Sequence, residues 1–393
     1  MINWYSERLR ECDFSSHEKY NLINDIINRV NGHKKLEVNE AYSIINISET
    51  NKEKTYKKVI NLSREKKYSI FKGNIYAIAP LYISSICQEN CLYCNFRSGN
   101  KKSNIKRIRL SDKELEKEVE FLADKGIRVI ELVYASDPAI TSSDVSKSIK
   151  IAKNILSKYN GGEVGINARP YTEEEYRRFK DSGLSFVVLW QETYDIENYK
   201  RIHPGNTEKT DFFYRLNAPE RMINAGIRNI GLGIQLGLSD WKKDWIKLMY
   251  HIDYLINKYG EKIENIILGI PRLKAVQGAI IKNTIFVPSD IEYLFAISLF
   301  NLYMPTALPF VNTRECWNLC LEVARGGGTL FTFNCKTIPG GYTLGQKGFQ
   351  FPTHNYDAGK YAKKICDTGV NPIFNWEFNS DLCRYRIFDE KEI

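Results

Sequence analysis

From residue 75 onward, short apolar runs alternate with amphipathic helical stretches. The runs are Ile75–Ser84, Arg128–Tyr134, Glu163–Asn167, Phe186–Gln191, Asn229–Leu236, Asn265–Ile270, Ala307–Asn312 and Thr329–Asn334. Between them lie helical patterns at Ser111–Lys125, Ser142–Lys158, Thr172–Ser182, Asp211–Ala225, Trp241–Tyr259 and Pro288–Leu302. The first of these has a capping box, Ser111 with Glu114, and a stripe at Leu115, Val119 and Leu122. Runs that are apolar on both faces suit parallel strands covered by helices. Eight such units over about 260 residues predict an α/β fold, a closed (β/α)8 TIM-type barrel. Pro309 lies inside the seventh run, where a missing N–H weakens a central strand.

The chain before residue 74 reads as helical. A capping box at Ser15 and Glu18 precedes a stripe of Tyr20, Ile23, Ile27 and Val30, and Tyr56, Val59 and Ile60 share a face of a further helix. The predicted organisation is an N-terminal helical extension over 1–73, a barrel over 74–345, and a C-terminal segment over 346–393 packed on the barrel.

Composition adds bounds. The chain has 393 residues, 43% hydrophobic and 26% charged, as in a globular protein rather than a disordered one. No run reaches the roughly 18 apolar residues of a membrane span. The stretch Met1–Arg8 lacks the apolar core of a signal peptide. A cytoplasmic location with no membrane partner is expected, and the nine cysteines are then free thiols or metal ligands. The net charge of +9 is dispersed and reads as a solvated surface; no motif points to nucleic acid.

Active sites of such barrels form at the C-terminal strand ends. The ends supply, in order, Cys87, Ala135-Ser136-Asp137, Asn167, Gln191-Glu192, Gln235, Arg272, Thr313-Arg314 and Cys335-Lys336. Nearly every apolar run ends in groups able to bind something polar, which predicts a ring around one shared cavity.

Cys87, Cys91 and Cys94 fall within eight residues directly after the first run. Three thiolates so spaced can hold one corner of a cubane cluster and leave the fourth iron without a protein ligand. A zinc site is the alternative; it needs a fourth Cys or His, and His17, His33 and His203 are all distant in sequence.

The C-x3-C-x2-C loop, with Tyr93 before its last cysteine, resembles that of the radical S-adenosylmethionine (SAM) superfamily. Within it the chain is similar to the 2-iminoacetate synthase family, the tyrosine lyases of thiamine thiazole biosynthesis. The resemblance rests on collinear segments from Pro80 to Tyr342. Among them are Gln191-Glu192-Thr193-Tyr194, Asp211–Leu216, Gly237-Leu238-Ser239-Asp240, Pro271-Arg272-Leu273, Thr313-Arg314-Glu315 and Pro339-Gly340-Gly341-Tyr342.

That resemblance implies a [4Fe–4S] cluster on Cys87, Cys91 and Cys94 with SAM on its open iron. It implies that a 5′-deoxyadenosyl radical takes hydrogen from the amino group of tyrosine. The Cα–Cβ bond then breaks to give 2-iminoacetate (dehydroglycine) and p-cresol. A flavodoxin- or ferredoxin-type electron donor follows, with the thiazole synthase as a candidate partner. SAM would lie near Tyr93, Ser136, Asp137, Gln191, Glu192 and Gln235, and the amino acid near Arg314, Thr313, Arg272 and Tyr342. Arg314 resembles the family's carboxylate-holding arginine; the plainer reading is a rim ion pair with Glu315 or Asp290. Arg272 is a second anion contact or a structural residue. Gln191 and Glu192 contact SAM or merely order loops, and Tyr342 closes the cavity or anchors a turn. Gly231, Gly233 and Gly237 resemble the segment that lets adenine approach the backbone. The stretch Lys274–Val287 is a candidate lid, and Cys316 and Cys320 read as buried thiols.

The chain departs from the family after the second strand, where Ala135-Ser136 replaces a Gly-Glu pair and Asp137 is the candidate substitute for its carboxylate. Asn95, Lys274 and Asn312 are further departures. The tail Val370–Trp376 carries no cysteine, unlike the [FeFe]-hydrogenase maturase that also cleaves tyrosine. Alternative readings are a lyase for tryptophan or another amino acid, and a non-catalytic Fe–S barrel that binds a partner.

Overall fold

The structure, a computed structural model, describes residues 20–378 apart from 33, 104 and 328. The Ser15–Glu18 capping box, and the C-terminal segment beyond 378, lie outside the described residues. Three helices come first: α1 (Tyr20–Asn31), α2 (Val38–Ile45) and α3 (Glu49–Phe71). Then follow β1 (Asn74–Ser84), α4 (Asp112–Asp124), β2 (Val129–Tyr134), α5 (Ser142–Ser157), β3 (Glu163–Asn167), α6 (Glu173–Asp181), β4 (Phe186–Val188), α7 (Ile196–Ile202), α8 (Phe212–Leu216) and α9 (Ala218–Asn224). The chain continues through β5 (Asn229–Gly233), α10 (Trp241–Tyr259), β6 (Asn265–Gly269), α11 (Asp290–Tyr303), β7 (Leu308–Val311), α12 (Trp317–Ala324), β8 (Leu330–Thr332), α13 (Ala358–Cys366) and β9 (Asn371–Ile373).

Strands β1 to β8 pair in parallel in sequence order, and β1 pairs with both β2 and β8, so the barrel closes. β9 adds to β1 outside the ring. The expected strands are all present, several of them one to three residues shorter. β7 forms despite Pro309, with a two-residue ladder to β6.

Helix starts follow their capping chemistry. Glu114 accepts from the Ser111 N–H at 2.7 Å, Asp144 from Thr141 N at 2.8 Å, Glu175 from Thr172 N at 2.9 Å and Glu292 from Ser289 N at 2.9 Å. One expected helix, Asp211–Ala225, is broken into α8 and α9 at Asn217. Pro219 has no N–H to donate to Arg215, and its ring would crowd that carbonyl.

The barrel interior is packed at its lower end by Tyr76, Ile78, Val129, Phe186, Val188, Ile267, Leu308 and Leu330. Trp376 and Phe378 enter this cluster from the C-terminal segment, and the Trp376 indole N–H donates to the Ala77 carbonyl at 2.8 Å. The stoppered end leaves the opposite mouth as the route to the interior. α3 packs outside the ring on α11, where Tyr56 stacks on Phe295 at 3.7 Å.

Candidate active site

The cysteine loop leaves β1 and is fastened on several sides. Gln88 N donates to Ser136 O at 3.0 Å, Leu92 N to Ile202 O at 3.0 Å, and Cys94 N to Cys91 O at 3.0 Å. Arg107 draws the loop inward, its guanidinium donating to the carbonyls of Ser85, Phe96, Asn95 and Arg97. Cys91 and Cys94 are buried and Cys87 half-buried, and all three line one cavity that encloses about 850 Å3 including its open mouth.

The donor set fits an iron–sulfur cluster. Cys94 Sγ accepts N–H groups from Phe96 and from the Gln350 amide, each at 3.4 Å, contacts that favour sulfur carrying negative charge. Burial pushes the Cys87 thiol up to about 11 and raises Cys91 and Cys94 as well, so these sulfurs need bound cationic iron to ionise. His203, weighed as a fourth zinc ligand, has both ring nitrogens engaged. Nδ1 lies 3.0 Å from the Tyr199 carbonyl and Nε2 lies 3.0 Å from the Tyr93 hydroxyl. The carbonyl can only accept, so Nδ1 carries the proton and Nε2 accepts from Tyr93. Burial, the leading cause, keeps this ring neutral.

The same cavity is bordered by Glu192, Lys209 and Arg215. Lys209 Nζ lies 2.8 Å from the Glu192 carboxylate, and Arg215 Nη2 lies 3.6 Å from it. Burial opposes the Glu192 charge, yet these two cations outweigh it and hold the acid down at about 2. Its φ of +73° is a left-handed conformation that non-glycine residues seldom take. The turn sends the carboxylate towards Lys209 while the Glu192 carbonyl accepts from Gln235 N at 2.9 Å.

A second, inner chamber opens from the first into the barrel. Tyr82, Val133, Asn167, Trp190 and Arg314 border both. Arg314 is half-buried, its guanidinium 3.9 Å from the centre of the Phe351 ring, and Nη1 donates to Gln235 Oε1 at 3.1 Å. The rim pair proposed for it belongs instead to Arg272. That guanidinium is taken up by Glu315, by Asp290 at 2.8 Å and by the Pro288 carbonyl at 3.0 Å. Arg272 borders neither chamber and locks the base of α11 to the β7 end.

The other expected residues divide as follows. Tyr93, Ser136, Glu192 and Gln235 border the outer cavity, and Thr313 borders the inner one, its hydroxyl 3.1 Å from that of Thr332. Asp137 is turned away: its carboxylate accepts from Arg109 at 2.6 and 2.8 Å and from Ser84 Oγ at 2.6 Å, so it does not project beside Ser136 as a substitute carboxylate. Tyr342 anchors the wall rather than closing over the cavity; its hydroxyl donates to Pro80 O at 2.6 Å and its ring stacks on Phe121. Gln191 borders neither chamber, and its buried Nε2 has no partner among the described residues. The glycine space expected to serve adenine is filled by protein. A Cβ on Gly233 would lie 1.9 Å from the Gly269 carbonyl, and one on Gly269 would lie 2.4 Å from the Trp190 ring. Cys320 is buried, but Cys316 is exposed and precedes α12. Residues of the Lys274–Val287 stretch dock on the cysteine loop, with Ile280 N donating to Leu92 O at 2.7 Å and Gly278 O accepting from Arg97.

Some cavity residues had no clear sequence signal. Lys209 and Arg215 sit in the β4–β5 connection, and Gln350 and Phe351 come from beyond the barrel strands. Glu131 did carry one. It is an acid inside an apolar strand, in phase with Val129 and Val133, and so on the inward face.

Comparison with known proteins agrees with this architecture. Residues 81–250 match the model of the Radical SAM superfamily. Residues 81–250 thus carry a radical SAM domain, the mark of an enzyme whose superfamily uses a [4Fe–4S] cluster and S-adenosylmethionine. It is 28% identical over 312 residues to 2-iminoacetate synthase of Escherichia coli (strain K12), spanning 78% of this chain and 79% of that protein. The X-ray structure of the FeFe-hydrogenase maturase HydG from Carboxydothermus hydrogenoformans superposes with a TM-score of 0.84 at 26% identity, covering 98% of this chain and 86% of that one. Methylornithine synthase (PylB) shares the fold, with a TM-score of 0.70 at 16% identity over 88% of this chain and 97% of the other.

Proposed function

We propose that this enzyme is an aromatic amino acid lyase that cleaves the Cα–Cβ bond of tyrosine to give 2-iminoacetate and p-cresol. The observation that carries the reading is Arg314, a half-buried guanidinium that borders both chambers. Burial disfavours its charge, and among the described residues no carboxylate pairs with it directly; Gln235 is its one hydrogen-bond partner given by the described side chains. A substrate carboxylate would meet that need with a bidentate pair. The similarity to 2-iminoacetate synthase supports the same reaction.

Cys87, Cys91 and Cys94 would hold the cluster, and Tyr93, Ser136, Glu192 and Gln235 would border SAM. When bound, the cluster and SAM supply one-electron chemistry and a carbon radical able to abstract hydrogen. The protein's own part is positioning and exclusion. Arg314 fixes the carboxylate, which leaves the α-amino group towards the outer cavity and the side chain towards the inner chamber. Tyr82, Trp190 and Phe310 give that chamber apolar walls on which a ring can pack. Phe351 holds the guanidinium plane from one side. A flavodoxin- or ferredoxin-type donor and delivery to a thiazole synthase complete the proposal.

The test is anaerobic turnover of the reconstituted, reduced protein with SAM and tyrosine, read by mass spectrometry. Tyrosine-dependent p-cresol with 5′-deoxyadenosine is expected. 5′-Deoxyadenosine formed without p-cresol would rule out tyrosine cleavage, and none of it, despite an intact cluster, would point to a non-catalytic barrel.

A further inference from the structure

The inner chamber holds a carboxyl group that the reaction as proposed leaves without a task. Glu131 stands in the middle of β2 on the inward face. Its neighbours across the two ladders are Pro80 and Gly165, neither of which offers a polar side chain. The described side chains give it one hydrogen bond, from Asn167 Nδ2 to Oε1 at 2.8 Å. A carboxyl group can accept several such bonds, and burying it with one is unfavourable. Burial accordingly raises its acid up to about 7.

The position of Glu131 gives that unfavourable burial a use. Arg314 borders both chambers, whereas Glu131 borders only the inner one. A side chain that enters the inner chamber from a carboxylate held at Arg314 would share that chamber with Glu131. Tyr82, Trp190 and Phe310 line the same chamber and offer walls suited to a flat ring. Glu131 offers a ring seated in that chamber an acceptor with spare capacity.

Resting on the lyase reading above, we propose that Glu131 is a specificity residue that accepts a hydrogen bond from the phenol hydroxyl of tyrosine. Asn167 orients the carboxyl by holding Oε1 and leaves Oε2 to the substrate. A ring without the hydroxyl strands that acceptor. A pocket built to bond a hydroxyl rejects the analogue lacking it far more strongly than an apolar pocket rejects a missing methylene.

The experiment measures tyrosine and phenylalanine binding by calorimetry on the reconstituted holoprotein with SAM, alongside p-cresol formation. Wild type is expected to prefer tyrosine by about a hundredfold or more. Glu131→Leu, close in shape, should bring that preference below about tenfold by weakening tyrosine while phenylalanine binds no worse. Glu131→Gln keeps a carbonyl acceptor and should fall between. Circular dichroism and cluster absorbance confirm that each variant is folded and loaded. An unchanged tyrosine-to-phenylalanine ratio in Glu131→Leu, with p-cresol still produced, overturns the role of Glu131 alone. A wild type that selects tyrosine but yields no p-cresol overturns the lyase reading while leaving the hydroxyl contact standing. A wild type that prefers lysine to tyrosine overturns both.

Discussion

The guanidinium of Arg314 sits over the Phe351 ring, 3.9 Å from its centre, and joins the end of β7 to a segment far beyond the last barrel strand. The contact restrains the plane of the fork that is to meet the substrate carboxylate. Because a lysine neither stacks nor bonds bidentately, Arg314→Lys is not a conservative change here. Arg314→Ala should weaken tyrosine binding by roughly 10- to 100-fold, the equivalent of about 1.5–3 kcal/mol for a charge-assisted hydrogen bond. Arg314→Lys should recover only part of that. Calorimetric titration of the holoprotein checks both, and tyrosine binding as tight as wild type in Arg314→Ala would remove the carboxylate assignment.

Cluster content separates the three loop cysteines from the others. Alanine at Cys87, Cys91 or Cys94 should leave less than about half of the wild-type iron and sulfide after anaerobic reconstitution, because each removes a ligand from a three-thiolate set. Cys335→Ser, in the inner chamber, should load normally. Iron and sulfide assays with the visible absorbance spectrum report the outcome; a fully loaded Cys91→Ala would displace that residue from the ligand set.

The Glu192–Lys209 pair also bears on folding, since both groups are buried. Removing one member of such a pair leaves a desolvated charge and typically costs about 3–5 kcal/mol. Lys209→Met should lower the urea midpoint of the apoprotein markedly, although Arg215 softens the loss. The double variant Glu192→Gln/Lys209→Met should regain part of it. A double variant no better than the single would show that the pair is not coupled.

Stability should also depend on pH through Asp244, whose carboxylate accepts from Tyr194 N at 2.9 Å. Burial raises its acid from 3.8 to about 7. Between those values the folded chain holds a proton that the unfolded chain has released, so this group's contribution falls as pH rises from about 4 to 7. Asp244→Asn retains the acceptor and cannot ionise. It should gain on wild type by at least about 1 kcal/mol at pH 7.5 relative to pH 5, about one unit of linked titration. Urea unfolding at the two pH values measures the difference, and parallel pH profiles would show that Asp244 does not titrate as described.

The barrel was legible because its signals are local. Each strand is an apolar run with a helical pattern behind it, and buried parallel strands leave that mark whatever their neighbours do. The cysteine loop was legible for the same reason, since three cysteines within eight residues need no tertiary information to be associated. Arg314 could be singled out because it follows an apolar run at a strand end, where such barrels place their chemistry.

What the sequence left open was which polar group faces which neighbour. Arg272 and Arg314 both end strands, yet Glu315 and Asp290 neutralise Arg272 and leave Arg314 to the cavity. Asp137 and Ser136 are adjacent in the chain, but Arg109 and Ser84 take the carboxylate of one while the other borders the site. Lys209, Arg215, Gln350 and Phe351 come from connections whose paths over the mouth are fixed by long-range packing. Sequence by itself therefore determined the barrel and the three-cysteine loop, both written in short-range periodicity and spacing, while the class of chemistry came from the family resemblance. The tertiary structure decided how charge is shared around the mouth and that one acid, Glu131, lines the same inner chamber as Arg314. Those choices depend on distances between residues far apart in the chain, which no local pattern encodes.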